Sequence, residues 1–168
     1  MGETAKRFHR RQLLSLMPFV LMALLSLGGM AVSSYLAWGH FSERSLFCGL
    51  GHGCDAVEQS DYSVVLGVPV AVWGGLLYLA MLATALGGVC RAWGVREVSS
   101  YALFGMSLAG TLYSGYLAWV EVYRIEAVCM WCTISAIIIT TVLVTSVVNL
   151  ALEMGRASKD YIRRGSEQ

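Results

Sequence analysis

Four long runs without Asp, Glu, Lys or Arg divide the chain into apolar and polar segments. The runs cover residues 13–39, 62–90, 98–120 and 127–152. A helix needs about 20 residues to cross the hydrocarbon core of a bilayer, and each run is at least that long. A soluble helical protein would show polar positions at the helical period, and these runs lack them. The pattern predicts an all-α membrane protein, a bundle of four transmembrane helices that forms one domain over residues 1–168.

Composition favours the same fold class. The chain is 57% hydrophobic and 14% charged, and its mean hydropathy of +0.62 is too high for a soluble domain of this length. The first run is longer than the apolar region of a signal peptide and is followed by no small-residue cleavage site. We therefore expect it to remain in the protein as a membrane helix.

Basic residues predict how the bundle is oriented. All but two of the 12 Lys and Arg residues lie before residue 13, in the connection 91–97 or after residue 152; the exceptions are Arg44 and Arg124. Cytoplasmic segments are enriched in Lys and Arg, so both termini are expected in the cytoplasm. The segments 40–61 and 121–126 are then expected on the outer face, where acidic residues predominate. A basic surface for nucleic acid is not indicated.

Two cysteines lie in the predicted outer loop between the first two helices. Three glycines stand between Cys48 and Cys54, at positions 49, 51 and 53. Glycine adopts backbone conformations that allow a short loop to close on itself, so the two thiols can form a disulfide. A disulfide in a long exposed loop is typical of the exchangeable kind. The alternative is a static bridge that only stabilises the loop.

A second pair, Cys129 and Cys132, forms a Cys-x-x-Cys motif at the predicted outer end of the fourth helix. Residues three apart share a helix face, so these sulfurs can also bridge. Free N–H groups at a helix N-terminus favour the thiolate, the reactive form, whereas the apolar neighbours oppose it. We expect the helix end to prevail for at least one sulfur. A zinc site built from these four cysteines and His52 is a weaker alternative, and we predict no metal.

Other residues are explained by packing. Cys90 is expected at the cytoplasmic end of the second helix, as an inert thiol. The repeated Tyr-Leu-Ala-Trp segments at 35–38 and 116–119 fit the aromatic belt of a membrane protein, with gene duplication as an alternative. Small residues of the third helix are expected to allow close helix contact: Gly105, Gly110, Ser114 and Gly115.

These motifs resemble the vitamin K epoxide reductase family, in its bacterial form, over residues 33–136. The most specific match runs from Cys54 through Val57 and Ser60, and continues with the Gly-x-Pro of residues 67–69. The second match is Cys129-x-x-Cys132 followed by Ser135 and Ala136. DsbB proteins, which are functionally analogous, carry the Cys-x-x-Cys pair first and are less similar. Relatives often carry a fused thioredoxin-like domain, and we expect none here.

The resemblance implies a relay of electrons between thiols. A dithiol protein would reduce the Cys48–Cys54 disulfide, Cys54 would attack Cys129, and Cys132 would pass the electrons to a quinone of the ubiquinone, menaquinone or vitamin K type. Ser60 matches a family serine near the active centre, with a role as helix N-cap as the alternative.

The resemblance also implies a setting and a partner. The partner would be a separate thioredoxin-fold (DsbA-like) dithiol protein on the outer face of the bacterial inner membrane, and the activity would support disulfide bond formation. Two other functions remain open. One is a reductase of vitamin K epoxide or quinone that uses the same cysteines, and the other is a non-enzymatic membrane protein with structural disulfides.

Overall fold

The computed structural model of the protein describes residues 2–42, 47–48, 53–90 and 93–165. Long helices account for most of them: α1 Gly2–Ser42, α3 Val70–Cys90, α4 Trp93–Val120 and α5 Met130–Gly165. Between α1 and α3 lie a short helix α2 (Gly53–Glu58), a 3-10 turn (Asp61–Ser63) and two strands, β1 (Val64–Val65) and β2 (Val68–Pro69). A π-helical turn, Glu121–Ile125, joins α4 to α5.

The four long helices pack in a ring. Helix α1 packs against α3 and α5, and α4 packs against the same two helices. Their shared core contains side chains from every one of them: Phe19, Met22, Ala23, Tyr78, Met81, Ala85, Leu103, Ile139 and Val142. Large apolar side chains also face outward, among them Leu24, Leu112 and Ile137, each more than half exposed. Such an apolar exterior suits contact with lipid.

Three of the described helices are long and apolar enough to cross a membrane. The candidate spans are Leu16–Ser42, Val70–Val89 and Met130–Gly155. The protein is therefore a helical membrane protein. Helix α4 is long enough, but it contains Arg96 and Glu97 near its start and several Ser, Thr and Tyr residues beyond them. Its predicted crossing of the bilayer stays a prediction.

The first and last long helices extend beyond their predicted ends, because the charged residues that end each uncharged run do not end the helix. The first helix continues through the basic residues to Gly2, and the last one continues through the charged tail to Gly165. Charged residues are good helix formers, so leaving the bilayer does not end a helix. The prediction of a loop without structure over 40–61 was wrong at its end, where α2 forms; residues 43–46 and 49–52 lie outside the described part.

The predicted second helix begins eight residues later than expected. Residues 62 and 63 belong to the 3-10 turn, and the strands β1 and β2 form an antiparallel hairpin in which Val64 pairs with Pro69. Leu66 and Gly67 make the turn with φ of 56° and 78°. A two-residue hairpin needs positive φ at both positions, which explains the glycine. Valines in β1 and β2 favour strands, and α3 starts directly after Pro69.

Small residues allow close contact between the helices at particular points. A side chain at Gly110 would meet Leu77 at 2.9 Å and Ile139 at 3.0 Å, so this glycine lets α4 approach α3 and α5. The same prediction for Gly105 and Gly115 was wrong, because a Cβ atom at either position would meet no heavy atom within 4 Å. Gly29 and Gly88, which the sequence did not single out, lie against the rings of Tyr78 and Phe19 and bring α1 and α3 together.

Candidate redox site

The loop cysteines are joined. Cys48 and Cys54 form a disulfide whose Cα atoms lie 6.0 Å apart, an ordinary separation. Cys54 lies in the first turn of α2 and is 1% exposed, whereas Cys48 is half-buried. The more accessible sulfur is therefore the one at the start of the loop, and the sheltered one points toward the bundle. An attacking thiol from solution would reach Cys48 first.

Cys129 and Cys132 are free thiols at the start of α5. Cys129 occupies the N-cap position, because its carbonyl accepts the amide of Thr133 at 3.0 Å and its sulfur accepts the amide of Cys132 at 3.2 Å. A hydrogen bond from the Cys132 thiol lowers the pKa of the Cys129 thiol against the effect of burial, and the N–H groups of Cys132 and Trp131 add to this. The pKa of the Cys129 thiol is thus lowered, but the neighbouring thiol is the largest cause, and the N–H groups at the helix end contribute less than expected.

Glu121 lies beside this thiol pair. It begins the π-helical turn after α4 and is 6% exposed, and its Oε2 accepts the amide of Cys129 at 3.1 Å. The turn folds back on the same residue, since its carbonyl accepts the amide of Ala127 at 3.2 Å. Glu126 ends the turn with φ of 55° and lets the chain reverse into α5. The π-helical turn thus places a carboxyl group against the first turn of α5. We call α5 the redox helix, because the Cys-x-x-Cys motif lies at its start.

The two cysteine pairs meet in one buried cluster. Cys54 and Cys129, both 1% exposed, pack with Val32 and Leu36 of α1. A glycine permits this approach: a Cβ atom at Gly53 would collide with the carbonyl oxygen of Val128 and lie 3.2 Å from its carbonyl carbon. Helix α2 therefore rests directly on the backbone that leads into α5. Cys54 of the loop pair and Cys129 of the helix pair thus share one contact cluster.

Two aromatic side chains hold the beginning of the loop. The indole N–H of Trp131 donates to the carbonyl of Phe47 at 2.9 Å, and the amide of Phe47 donates to the hydroxyl of Tyr35 at 3.1 Å. The rings of Tyr35 and Trp131 pack with centroids 4.9 Å apart. The residue before Cys48 is therefore attached both to α1 and to the redox helix. Tyr35 has this second role besides its position in the expected aromatic belt.

A side-chain hydrogen bond fixes the other end of α2. Nδ1 of His40, near the end of α1, lies 2.8 Å from Oε1 of Glu58. Burial raises the pKa of the Glu58 carboxyl, and the contact with His40 opposes this rise. Both ends of α2 are thus held on the bundle. Gly53 packs on the backbone of Val128, just before α5, and Glu58 is bonded to His40 of α1.

Ser60 makes a different contact from either one expected. Its hydroxyl donates to the carbonyl of Val57 at 2.7 Å and closes the end of α2. It stands at the N-cap position of the following 3-10 turn but makes no side-chain capping bond there, so the capping alternative was wrong. Its role next to a thiol or a quinone stays a prediction.

The remaining predicted residues lie elsewhere. Cys90 ends α3, a helix of 21 residues whose other end adjoins the hairpin. About 30 Å of helix therefore separates its backbone from the start of α3. His52, the non-cysteine ligand of the zinc alternative, lies outside the described residues. Within the described ranges, no group of three or more His, Cys, Asp or Glu side chains is arranged to hold a metal ion.

Sequence reasoning missed Glu121, Gly53 and the clamp formed by Tyr35 and Trp131. Glu121 was treated only as one of several acidic residues that mark the outer face. A sharper signal was present, because it is a carboxylate directly after an uncharged run and eight residues before a Cys-x-x-Cys motif. The contacts of Gly53 and Trp131 depend on the loop folding back, which no local pattern indicates.

The fold and the site together define a helical membrane protein with two dithiol pairs at one end of its bundle. The family model of the vitamin K epoxide reductase family matches residues 20–147, and the chain belongs to this family. The thiol-disulfide oxidoreductase LTO1 of Arabidopsis thaliana is 30% identical over 126 residues, which is 72% of this chain and 34% of that protein. The chain thus spans about a third of the relative that it matches.

Proposed function

We propose that the protein is a quinone-dependent thiol oxidoreductase that reoxidises a separate thioredoxin-fold dithiol protein and so supports disulfide bond formation. The observation that carries the proposal is the contact of the two pairs: Cys54 of the loop disulfide and Cys129 of the thiol pair lie in one buried cluster. Thiol–disulfide exchange needs direct attack of sulfur on sulfur, and this packing meets the requirement.

The two pairs are the components that such a relay needs, a disulfide in the loop and a separate pair of cysteines at the start of α5. In the proposed sequence the partner reduces Cys48–Cys54, and the Cys54 thiolate attacks a Cys129–Cys132 disulfide at Cys129. Cys48 then displaces Cys129, which restores the loop disulfide and leaves the inner pair reduced.

The surroundings of Cys132 fit an apolar acceptor. Ala71 of α3 and Ile134 of α5 belong to the same cluster, together with Val32 and Leu36 of α1. Ser135, one turn further along α5, and Tyr78 of α3 bring polar groups to the adjacent level, 2.9 Å apart between their oxygens. A bound quinone would supply a two-electron acceptor at this place. An acceptor dissolved in lipid also suits a helical membrane protein.

We further propose the setting of the reaction. All four helices cross the bacterial inner membrane, both termini are cytoplasmic, and the two cysteine pairs face the outer side. The excess of Lys and Arg in the terminal segments and in the connection 91–97 supports this orientation. The same face contains α2 and the hairpin, which leaves the loop disulfide open to a partner in solution.

The test uses the purified protein in lipid nanodiscs with a reduced thioredoxin-fold protein and a short-chain ubiquinone or menaquinone. Absorbance should report loss of one quinone for every two partner thiols oxidised, and the Cys132→Ser variant should show no loss. Partner oxidation without quinone loss would contradict the proposal. Oxidation of the partner with vitamin K epoxide as the acceptor, and no oxidation with quinone, would assign the epoxide reductase activity instead.

A further inference from the structure

Glu121 is, among the described residues, the only charged side chain that is buried. Its carboxyl touches both members of the thiol pair, since it accepts the amide of Cys129 at 3.1 Å and is hydrogen-bonded to the thiol of Cys132. Within the same described part, no basic side chain is among its partners. A buried carboxylate without a cation is costly, so this placement calls for an explanation.

The surroundings of Glu121 favour transfer of a proton between its carboxyl group and the neighbouring thiols. Burial raises the pKa of the Glu121 carboxyl, while the hydrogen bonds from Cys129 and Cys132 lower it by a smaller amount. In return, its negative charge opposes ionisation of Cys129. Helix α2 also packs on the π-helical turn. The ionisable groups on α2, on the turn itself and on the last turns of α4 are Asp55, Glu58, Tyr123, Arg124, Glu126 and Tyr116.

We propose that Glu121 is the general acid and base of the Cys129–Cys132 pair. The group touches a reacting atom, because the thiol of Cys132 is its hydrogen-bond partner. The inference deepens the proposed function in that it concerns the same thiol pair, but it requires no quinone. It assigns a proton path to a step in which a sulfur must leave or attack inside an apolar cluster, where a free thiolate is poorly solvated.

The step balances in atoms and charge. In the inward direction, the Cys54 thiolate attacks Sγ of Cys129, the bond between Cys129 and Cys132 breaks, and the electron pair goes to the Cys132 sulfur. The protonated carboxyl of Glu121 gives its proton to that sulfur and becomes a carboxylate. Cys54 is oxidised, Cys132 is reduced, and one negative charge moves from the Cys54 sulfur to Glu121.

The reverse direction uses the same group as a base. The Glu121 carboxylate takes the proton of the Cys132 thiol, and the resulting thiolate attacks Cys129 in a Cys54–Cys129 mixed disulfide. Cys54 then leaves as a thiolate. A group that acts in both directions works best with a pKa near the operating pH, and burial raises the pKa of the Glu121 carboxyl in that direction.

The test isolates the inner pair. In the full chain with Cys48→Ser and Cys54→Ser, the oxidised Cys129–Cys132 pair is reduced by dithiothreitol, and acid-quenched samples are alkylated and counted by mass spectrometry. The rate per dithiothreitol thiolate should fall as the pH rises through the pKa of Glu121, because the protonated form assists. Glu121→Gln should slow the reaction by about tenfold or more and remove this pH dependence.

Two further variants separate chemistry from structure. Glu126→Gln removes a carboxylate from an exposed position five residues away, and it should keep the wild-type rate and profile. Glu121→Asp retains an ionisable group, and it should keep the falling pH profile at a reduced rate. Alkylation of the reduced pair by iodoacetamide gives an opposite readout: Glu121→Gln should make Cys132 react faster, since the neighbouring negative charge is gone.

Slower exchange together with faster alkylation is not expected from a distorted site. The inference is overturned if Glu121→Gln keeps the wild-type rate and profile, if it slows the reaction but leaves the pH dependence unchanged, or if Glu126→Gln has the same effect. None of these measurements contains a quinone. Failure of the wild-type protein to reduce quinone would therefore count against the proposed function and leave this result standing.

Discussion

At the residue scale, Trp131 connects the redox helix to the loop that feeds it. The side chain stands between the two cysteines in sequence, and its indole donates to the carbonyl of Phe47, next to Cys48. Tyr35 takes the amide of the same residue. One backbone unit of the loop is thus held on both sides by aromatic residues that also pack on each other. An aromatic residue between the two cysteines of the motif can therefore hold the loop in place by a hydrogen bond while it also packs on the helix.

Trp131→Phe should loosen this attachment while keeping a large ring in place. One net hydrogen bond corresponds to about 0.5–1.5 kcal/mol, so reduction of the Cys48–Cys54 disulfide by a water-soluble phosphine should become about two- to tenfold faster. Trp119→Phe is the matched control, because Trp119 is about half exposed near the C-terminal end of α4. Equal acceleration in both variants, or in neither, would show that the indole bond does not hold the loop.

At the scale of elements, α2 and the π-helical turn decide how the two cysteine pairs meet. Apolar runs could predict the four long helices, because uncharged stretches of that length have few other structures. They could not predict the start of α3 at Val70, since the hairpin before it is as apolar as the helix. They could not predict where α2 packs either. Its position depends on a close contact between Gly53 and the backbone of Val128, which is distant in sequence and leaves no room for a side chain.

The contact between α2 and α5 gives a test of this arrangement. Gly53→Ala should displace α2, because its Cβ would collide with the Val128 carbonyl and a backbone atom cannot move aside cheaply. Transfer from a reduced partner to Cys129–Cys132 should slow by about tenfold, whereas direct reduction of that pair by dithiothreitol should not change. Gly115→Ala, at an open position of α4, should leave both rates unchanged. If Gly53→Ala slowed transfer from the partner and direct reduction by dithiothreitol to a similar extent, the effect would not come from the contact of α2 with Val128.

At the scale of the whole molecule, charge and hydropathy carried the prediction further than any motif. The spacing of uncharged runs predicted a helical membrane protein, and the cysteines and the Gly-x-Pro segment indicated the family to which the chain belongs. The order of the helices around the ring, and the meeting of both pairs at one end, depend on contacts among Phe19, Tyr78, Leu103 and Ile139. Any apolar side chain of similar size would suit such contacts, so the sequence does not specify their partners.

Orientation can be tested with cysteines placed at exposed sites of a cysteine-free variant. Leu66→Cys and Tyr123→Cys should react with a membrane-impermeant maleimide in intact cells. Glu97→Cys and Ser158→Cys should react only after permeabilisation. The replaced residues are all exposed, so access depends on the side of the membrane. If positions 97 and 123 react from the same side, α4 does not cross the bilayer and the proposed topology fails.

The central claim is that electrons pass from the loop to the helix through a bond between Cys54 and Cys129. The most direct measurement is non-reducing mass spectrometry of Cys132→Ser after exposure to a reduced thioredoxin-fold partner and quinone, with Cys132→Ser/Cys54→Ser as the control. In Cys132→Ser, the Cys129 thiol can attack Cys54 of the loop disulfide and release Cys48, but no Cys132 thiol is present to displace Cys54 from Cys129. A Cys54–Cys129 disulfide should therefore accumulate in Cys132→Ser and be absent from the control, and Cys132→Ser should reduce no quinone. Normal quinone turnover by Cys132→Ser, or a cross-link between Cys129 and Cys48 in place of Cys54, would contradict the account.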